Sequence, residues 1–359
     1  MKSKRNEIQM NKDFTQIQNK ERSSNIELLR IIAMLLVMVV HASFMALKVP
    51  TPLEINTMPV NSFLRFFSEA TSIICVNVFV LISGWFGIKA RIIRLSEFIF
   101  QVIFFGVFIY VVLRLCDRAE RMSTDGWIQL FMINNLWFIK SYIVLYIFAP
   151  ILNTFVEKAD KRHMKLFLIA FFILQTIHGF IYASNWFSKG YSPLSFMGLY
   201  LLARYIRLYP NRYTQCSKFC DLGIYLLLTL ITTLLSMLLT VAGNKSGEKL
   251  YSYTSPLVIV SAVYFFLFFT KFTFKSKIVN WIALSSLAAY LVQCDTHFFE
   301  PIYLKTISDW FNTQSTGIFL IYTASWIILI FAGSILVDKI RILIWNKLIV
   351  KFIFINKAM

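Results

Sequence analysis

Residues 1–25 are polar, and at Asn25 the pattern changes to a succession of apolar runs that continues towards the C-terminus. The runs fall at roughly 26–46, 70–88, 97–115, 133–155, 166–183, 193–209, 219–242, 254–271, 280–298 and 316–338. Each is continuous rather than alternating, which predicts helices and argues against the two-residue period of a membrane β-barrel. Most have the ~20 residues needed to cross ~30 Å of hydrocarbon at 1.5 Å per residue. The prediction is an all-α polytopic membrane protein, a bundle of about ten transmembrane helices. Two runs are weaker than the rest. That at 133–155 holds Asn134, Asn135, Lys140 and Pro150, and that at 193–209 is short and holds Gly198, Arg204 and Arg207. The chain divides into a polar tail (1–25), a transmembrane domain (26–338) and a basic C-terminal segment (339–359). The tail contains no long apolar run, so it reads as solvated rather than as a cleavable signal peptide.

Composition supports the pattern. Of 359 residues, 58% are hydrophobic and 15% charged, aromatics reach 17%, and the mean hydropathy is +0.65. A soluble domain has about 25% charged residues. A soluble enzyme, a disordered chain and a disulfide-stapled scaffold are excluded. The five cysteines are irregularly spaced without a CxxC, so neither a disulfide framework nor a zinc site is expected.

The net charge of +18 would suggest nucleic acid in a soluble protein. Here its distribution reads as topology, with no nucleic-acid partner. With both termini in the cytoplasm, 25 Lys and Arg fall on inside segments and nine on outside ones. That asymmetry follows the positive-inside rule, and anionic lipid head groups favour it. Residues 47–69, 116–132, 184–192, 243–253 and 299–315 are then expected to face outward.

Charged groups at membrane depth are candidates for function by default. Arg30 and His41 both lie in the first run. Eleven residues apart, they end about 20° past three full turns, on one face and ~16 Å apart along the axis. Spacing alone leaves two readings open: a snorkelling arginine with an interfacial histidine, or a functional pair. The second run carries Glu69, Asn77 and Ser83-Gly84. Arg91 and Arg94, at i and i+3, would face one way on a helix and suit a phosphate, or simply mark an inside loop. The ninth run ends Gln293-Cys294-Asp295-Thr296-His297-Phe298-Phe299-Glu300, either a polar binding site or a solvated helix end. No HExxH, P-loop or GxGxxG occurs, and no metal site is expected.

Several of these segments resemble the membrane-bound acyltransferase 3 family. Arg30 and His41 match its R-x10-H signature. Val78-Phe-Val-Leu-Ile-Ser83-Gly84 is similar to its second span, and Arg91-x-x-Arg94 falls where the family carries RxxR. Leu136-Trp137-Phe138-Ile139, then Tyr142, Leu145-Tyr146 and Pro150, is similar to its LWF…Y…LY…P segment, and Ser286-x-x-x-Tyr290-Leu291 to a late span. Cys294 and Asp295 stand where a histidine region is more common. The resemblance covers essentially residues 25–340. It implies an acyl-CoA-dependent O-acyltransferase of the bacterial inner membrane, moving an acyl group, most often acetyl, to a hydroxyl of a cell-surface polysaccharide or glycolipid. No permanently bound cofactor is implied; acyl-CoA is the co-substrate, and membrane lipid and a surface glycan or lipid-linked sugar are the partners. His41 would then be catalytic, with Glu69, Asp295 or Glu300 orienting it. Arg30, Arg91 and Arg94, joined by Arg204 and Arg207, would hold the acyl donor. Asn77, Ser83 and Tyr142 are candidates for the oxyanion, and Asp295 and Glu300 for the acceptor. The competing readings are a transporter or flippase for a lipid-linked sugar and a non-catalytic partner of a polysaccharide export complex.

Overall fold

The computed structural model describes residues 23–350 except 134, 135 and 245. Most of the polar tail, the pair Asn134–Asn135 and the end of the basic segment lie outside them. The described residues form helices and no strands. In order these are α1 (Ser24–Val40), which runs into a π turn at His41–Met45, a short helix Pro52–Thr57, α2 (Pro59–Ser72), α3 (Cys75–Phe86) and α4 (Ile92–Leu115). Then come α5 (Thr124–Phe131), α6 (Trp137–Lys158), α7 (Lys161–Gln175), α8 (Pro193–Leu208) and α9 (Lys218–Val241). After these come α10 (Pro256–Thr270), α11 (Lys277–Ala283), α12 (Leu287–Gln293), α13 (Lys305–Thr313) and α14 (Thr316–Ile344), which runs into a π turn at Trp345–Val350.

Among the described residues, seven helical segments are long and apolar enough to cross a membrane: Ser24–Met45, Pro59–Phe86, Ile92–Leu115, Trp137–Lys158, Lys161–Ile181, Lys218–Val241 and Thr316–Lys347. Helices α8 and α10 and the broken pair α11–α12 occupy the other three expected positions and are shorter. Helix starts carry the chemistry expected of them. Pro59, Pro193 and Pro256 sit in first turns, where a missing N–H costs nothing. Ser123, Asp160, Ser192, Ser217 and Ser276 accept backbone N–H groups at caps.

One expected loop is helix. Residues 59–69, anticipated as part of an outward connection, form α2, because Ser62, Arg65, Phe66 and Glu69 repeat at three- and four-residue spacing and are buried. Helix α1 is the hub, packing against α2, α3, α10, α11 and α12. Helices α3 and α8 approach closely at Gly84. A Cβ there would lie 2.4 Å from Tyr200 O and 2.9 Å from Ala203 Cβ. Backbone cannot yield as a flexible side chain can. Gly84→Ala is therefore expected to destabilise the bundle by about 1–3 kcal/mol, read as a lowered melting temperature in detergent.

The chain reverses just after His41, and Arg65 ties the reversal together. Its Nη2 donates to Leu47 O (2.5 Å) and Lys48 O (2.6 Å), and Nη1 meets Glu54 Oε1 at 2.7 Å. The guanidinium also lies 5.3 Å from the centre of the Phe311 ring. Burial alone would raise the Glu54 carboxyl, but the Thr51 N–H and Arg65 hold it below its ordinary value. Glu69 Oε2 accepts the Phe44 N–H at 3.3 Å, and Ser43 Oγ donates to Arg65 O at 3.3 Å. A π turn leaves backbone groups out of α register; here the Glu69 side chain takes one of them, and the Arg65 carbonyl takes the Ser43 hydroxyl.

Candidate active site

Two adjoining cavities run along α1. The first, of about 240 Å³, is lined by Arg30, Ser83, Gln101, Tyr142 and Ser286 among others. The second, of about 30 Å³, is lined by His41, Trp137, Tyr253 and Tyr290 with apolar neighbours. Phe79, Phe138 and Leu287 belong to both walls. The α1 face that carries Arg30 and His41 therefore borders one interrupted passage. Phe138 is the constriction, 5.9 Å from Tyr142, 6.1 Å from Phe79 and 5.7 Å from Tyr290 between ring centres.

At the His41 end, the imidazole Nδ1 lies 3.1 Å from Gln293 Oε1 and 3.9 Å from Cys294 Sγ, and the ring packs edge-on to Phe299 at 5.1 Å. Three carboxylates were candidates for orienting it. Glu69 bonds the Phe44 backbone, and Asp295 Oδ1 takes the His297 N–H at 2.9 Å and lies 3.2 Å from His297 Nδ1. Glu300 is exposed. The side chain on His41 is the amide of Gln293, wholly buried at the end of α12. Gln293 opens the polar end of the ninth run noted above, but a neutral amide carries no charge signal to single it out from Asp295, His297 and Glu300 beside it. Asp295 and His297 instead line a third cavity of about 150 Å³ with Cys294, Thr296 and Gln129. Asn77 gives its amide N–H to Tyr253 O at 3.1 Å and lines neither of the first two cavities. Tyr253 and Tyr290 are the hydroxyl-bearing side chains among the residues that line the cavity beside His41.

At the Arg30 end, Arg30 is one-third exposed and lies 3.7 Å from Glu27. Ser83 Oγ and Tyr142 Oη are 3.3 Å apart on the cavity wall. The connection 87–91 leaves α3 here and is pinned from two helices. Tyr200 Oη accepts the Ile88 N–H (2.9 Å) and donates to Asn153 (2.6 Å), whose amide donates to Ile88 O (2.9 Å). Tyr146 Oη accepts the Arg91 N–H at 2.8 Å. Arg91 and Arg94 are exposed and line neither cavity. Arg204 is half-buried beneath Gly87, and Arg207 bonds Trp85 O and stacks on Trp85 and Phe86. The four arginines thus gather around one connection, two pointing outward and two packed against its start.

A family model described as an acyltransferase domain, that of the acyltransferase 3 family, matches residues 23–338. The chain belongs to this family. No curated protein and no solved structure matches it. Membership makes the chain a membrane acyltransferase. The match ends at Asp338, so it takes in Arg30, His41 and Gln293 alike.

Buried charge also occurs at the boundary between the expected transmembrane domain and the basic segment, where Asp338 ends the one and Arg341 belongs to the other. Asp338 Oδ1 accepts from Gln101 Nε2 and from Arg341 Nε, both at 2.9 Å, and Oδ2 from Arg341 Nη2 at 3.1 Å. Arg341 Nη1 lies 3.4 Å from Glu97. Since Gln101 also lines the Arg30 cavity, this network forms part of that cavity's support in the acyltransferase.

Proposed function

We propose that the protein transfers an acyl group, acetyl in the simplest case, from acyl-CoA to a hydroxyl of a cell-surface glycan or lipid-linked sugar. The donor enters at the Arg30 end, which faces the cytoplasm, and the acceptor meets it at the His41 end. The observation that carries this reading is the pair of cavities joined through Phe79, Phe138 and Leu287. Coenzyme A has an anionic head and a thin arm. Arg30 and the cluster Arg91, Arg94, Arg204 and Arg207 supply cations for the head, while a narrow apolar passage suits the arm. The small volume beside His41 favours a short acyl chain.

In the reaction, His41 takes the proton of the acceptor hydroxyl as its oxygen bonds to the thioester carbon. The tetrahedral oxyanion is met by the Tyr253 or Tyr290 hydroxyl. It collapses with cleavage of the C–S bond, and the proton passes from the imidazolium to the departing thiolate. Glu69 serves by holding the turn that carries His41.

The decisive experiment is mass spectrometry of surface glycans from cells with and without the protein. Loss of one acetyl group per modified sugar supports the reading, and identical glycans together with no turnover of acetyl-CoA by the purified protein would sink it. Arg30→Ala is expected to raise KM for acyl-CoA roughly tenfold to a hundredfold, one charge-assisted hydrogen bond's worth of ~1.5–3 kcal/mol, with kcat little changed.

A further inference from the structure

The imidazole of His41 has one close polar partner of good geometry, and it is an amide. Gln293 closes α12, is wholly buried and presents Oε1 at 3.1 Å to Nδ1. The other groups around the ring are weaker or engaged elsewhere. Cys294 Sγ is at 3.9 Å, the Phe299 edge is apolar, and Tyr253 and Tyr290 border the cavity. Glu69 from α2 is bonded to the Phe44 N–H and Asp295 to His297. An amide oxygen only accepts hydrogen bonds and does not ionise near neutral pH. A neutral imidazole carries one N–H, and the partner of one ring nitrogen decides which bears it.

We infer that Gln293 is the positioning residue of His41: its Oε1 holds the ring as the Nδ1–H tautomer and leaves Nε2 as the atom that takes the acceptor's proton. This rests on the acyl-transfer reading only for the role of that proton, since the hold on the ring exists without substrate. The assignment has a chemical consequence. A carboxylate in this place would stabilise the imidazolium with a full charge. Gln293 orients without that charge, so the proton gained at Nε2 is readily passed on to the thiolate. The enzyme here works with a neutral pair, and the orienting residue lies 252 positions along the chain from the histidine it serves.

The test is nitrogen-15 NMR of the full-length protein in nanodiscs, labelled at histidine, with the His41 signal assigned by its loss in His41→Ala. Wild-type protein is expected to show His41 as Nδ1–H. Gln293→Leu should convert it to a mixture of tautomers, and Gln293→Glu should restore the single form. Gln293→Met, unbranched and of similar length, replaces the Leu variant if that one folds poorly. In acetyl-CoA turnover, Gln293→Leu should lower kcat roughly tenfold to a hundredfold, the usual effect of losing a partner that orients a histidine, with KM for acetyl-CoA unchanged. Gln293→Glu should recover most of it. An Nε2–H tautomer in the wild type, or an unaltered tautomer in both Gln293→Leu and Gln293→Met, would overturn the inference. The expected tautomers in a protein with no acetyl-CoA turnover would instead overturn the acyl-transfer reading and leave the hold on the ring standing.

Discussion

His41→Ala is expected to lower transfer by about 10²–10⁴-fold, the range for loss of a general base. The loss should appear in kcat, because the Arg30 cavity proposed for the donor is lined by other residues. Removing the ring also leaves the buried Gln293 amide without its partner, an effect on stability of about 1–3 kcal/mol. His41→Asn separates the two contributions, because an amide can still donate towards Gln293 but cannot act as the base. It should be as inactive as His41→Ala and closer to wild type in melting temperature. The check is radiolabelled acetyl transfer by purified protein alongside thermal unfolding. Substantial acetyl transfer by His41→Asn would remove the histidine from the mechanism.

Arg341→Met should produce the largest loss of stability. Asp338 is fully buried and Arg341 nearly so, and three hydrogen bonds converge on the Asp338 carboxylate from Gln101 and Arg341. Removing one member of a buried ion pair leaves a charge without compensation, at a cost of roughly 3–5 kcal/mol. Replacing both, in Asp338→Leu with Arg341→Met, removes the stranded charge and is expected to recover much of that loss. Because Gln101 joins the network to the Arg30 cavity, the single variant should also raise KM for acyl-CoA. Thermal unfolding of the wild type, of Asp338→Leu and Arg341→Met singly, and of the double variant gives the coupling directly. Equal stabilities in all of them would show that the pair contributes nothing.

The helical architecture was legible because a membrane leaves the backbone few alternatives, so each long apolar run had to be a helix. The reading failed where polarity and burial part company. Residues 59–69, expected in an outward connection, carry Arg65 and, at the outer edge of the second run, Glu69, yet both side chains are buried against the turn at His41. A charge-counting rule has no means of knowing that an arginine will find two carbonyls and a carboxylate. Likewise Arg341 was counted with a basic tail, although α14 continues to Ile344 and pairs it internally. The ninth run breaks into α11 and α12 at Leu284–Ser286, which hydropathy does not register. In the site, the spacing of Arg30 and His41 was legible because both lie on one helix and period alone relates them. Gln293 was not, since only packing of α12 against α1 brings it to the ring.

The small space at His41 bears on economy as well as on fit. About 30 Å³ is room for one or two water molecules. An activated thioester waiting beside a base is always at risk of being hydrolysed, and the number of waters within reach sets how fast that leak runs. With Phe138 narrowing the approach on one side, few waters can stand beside His41 at once. On the acyl-transfer reading proposed above, a thioester held beside His41 meets few waters, so donor hydrolysis in the absence of an acceptor is expected to be slow.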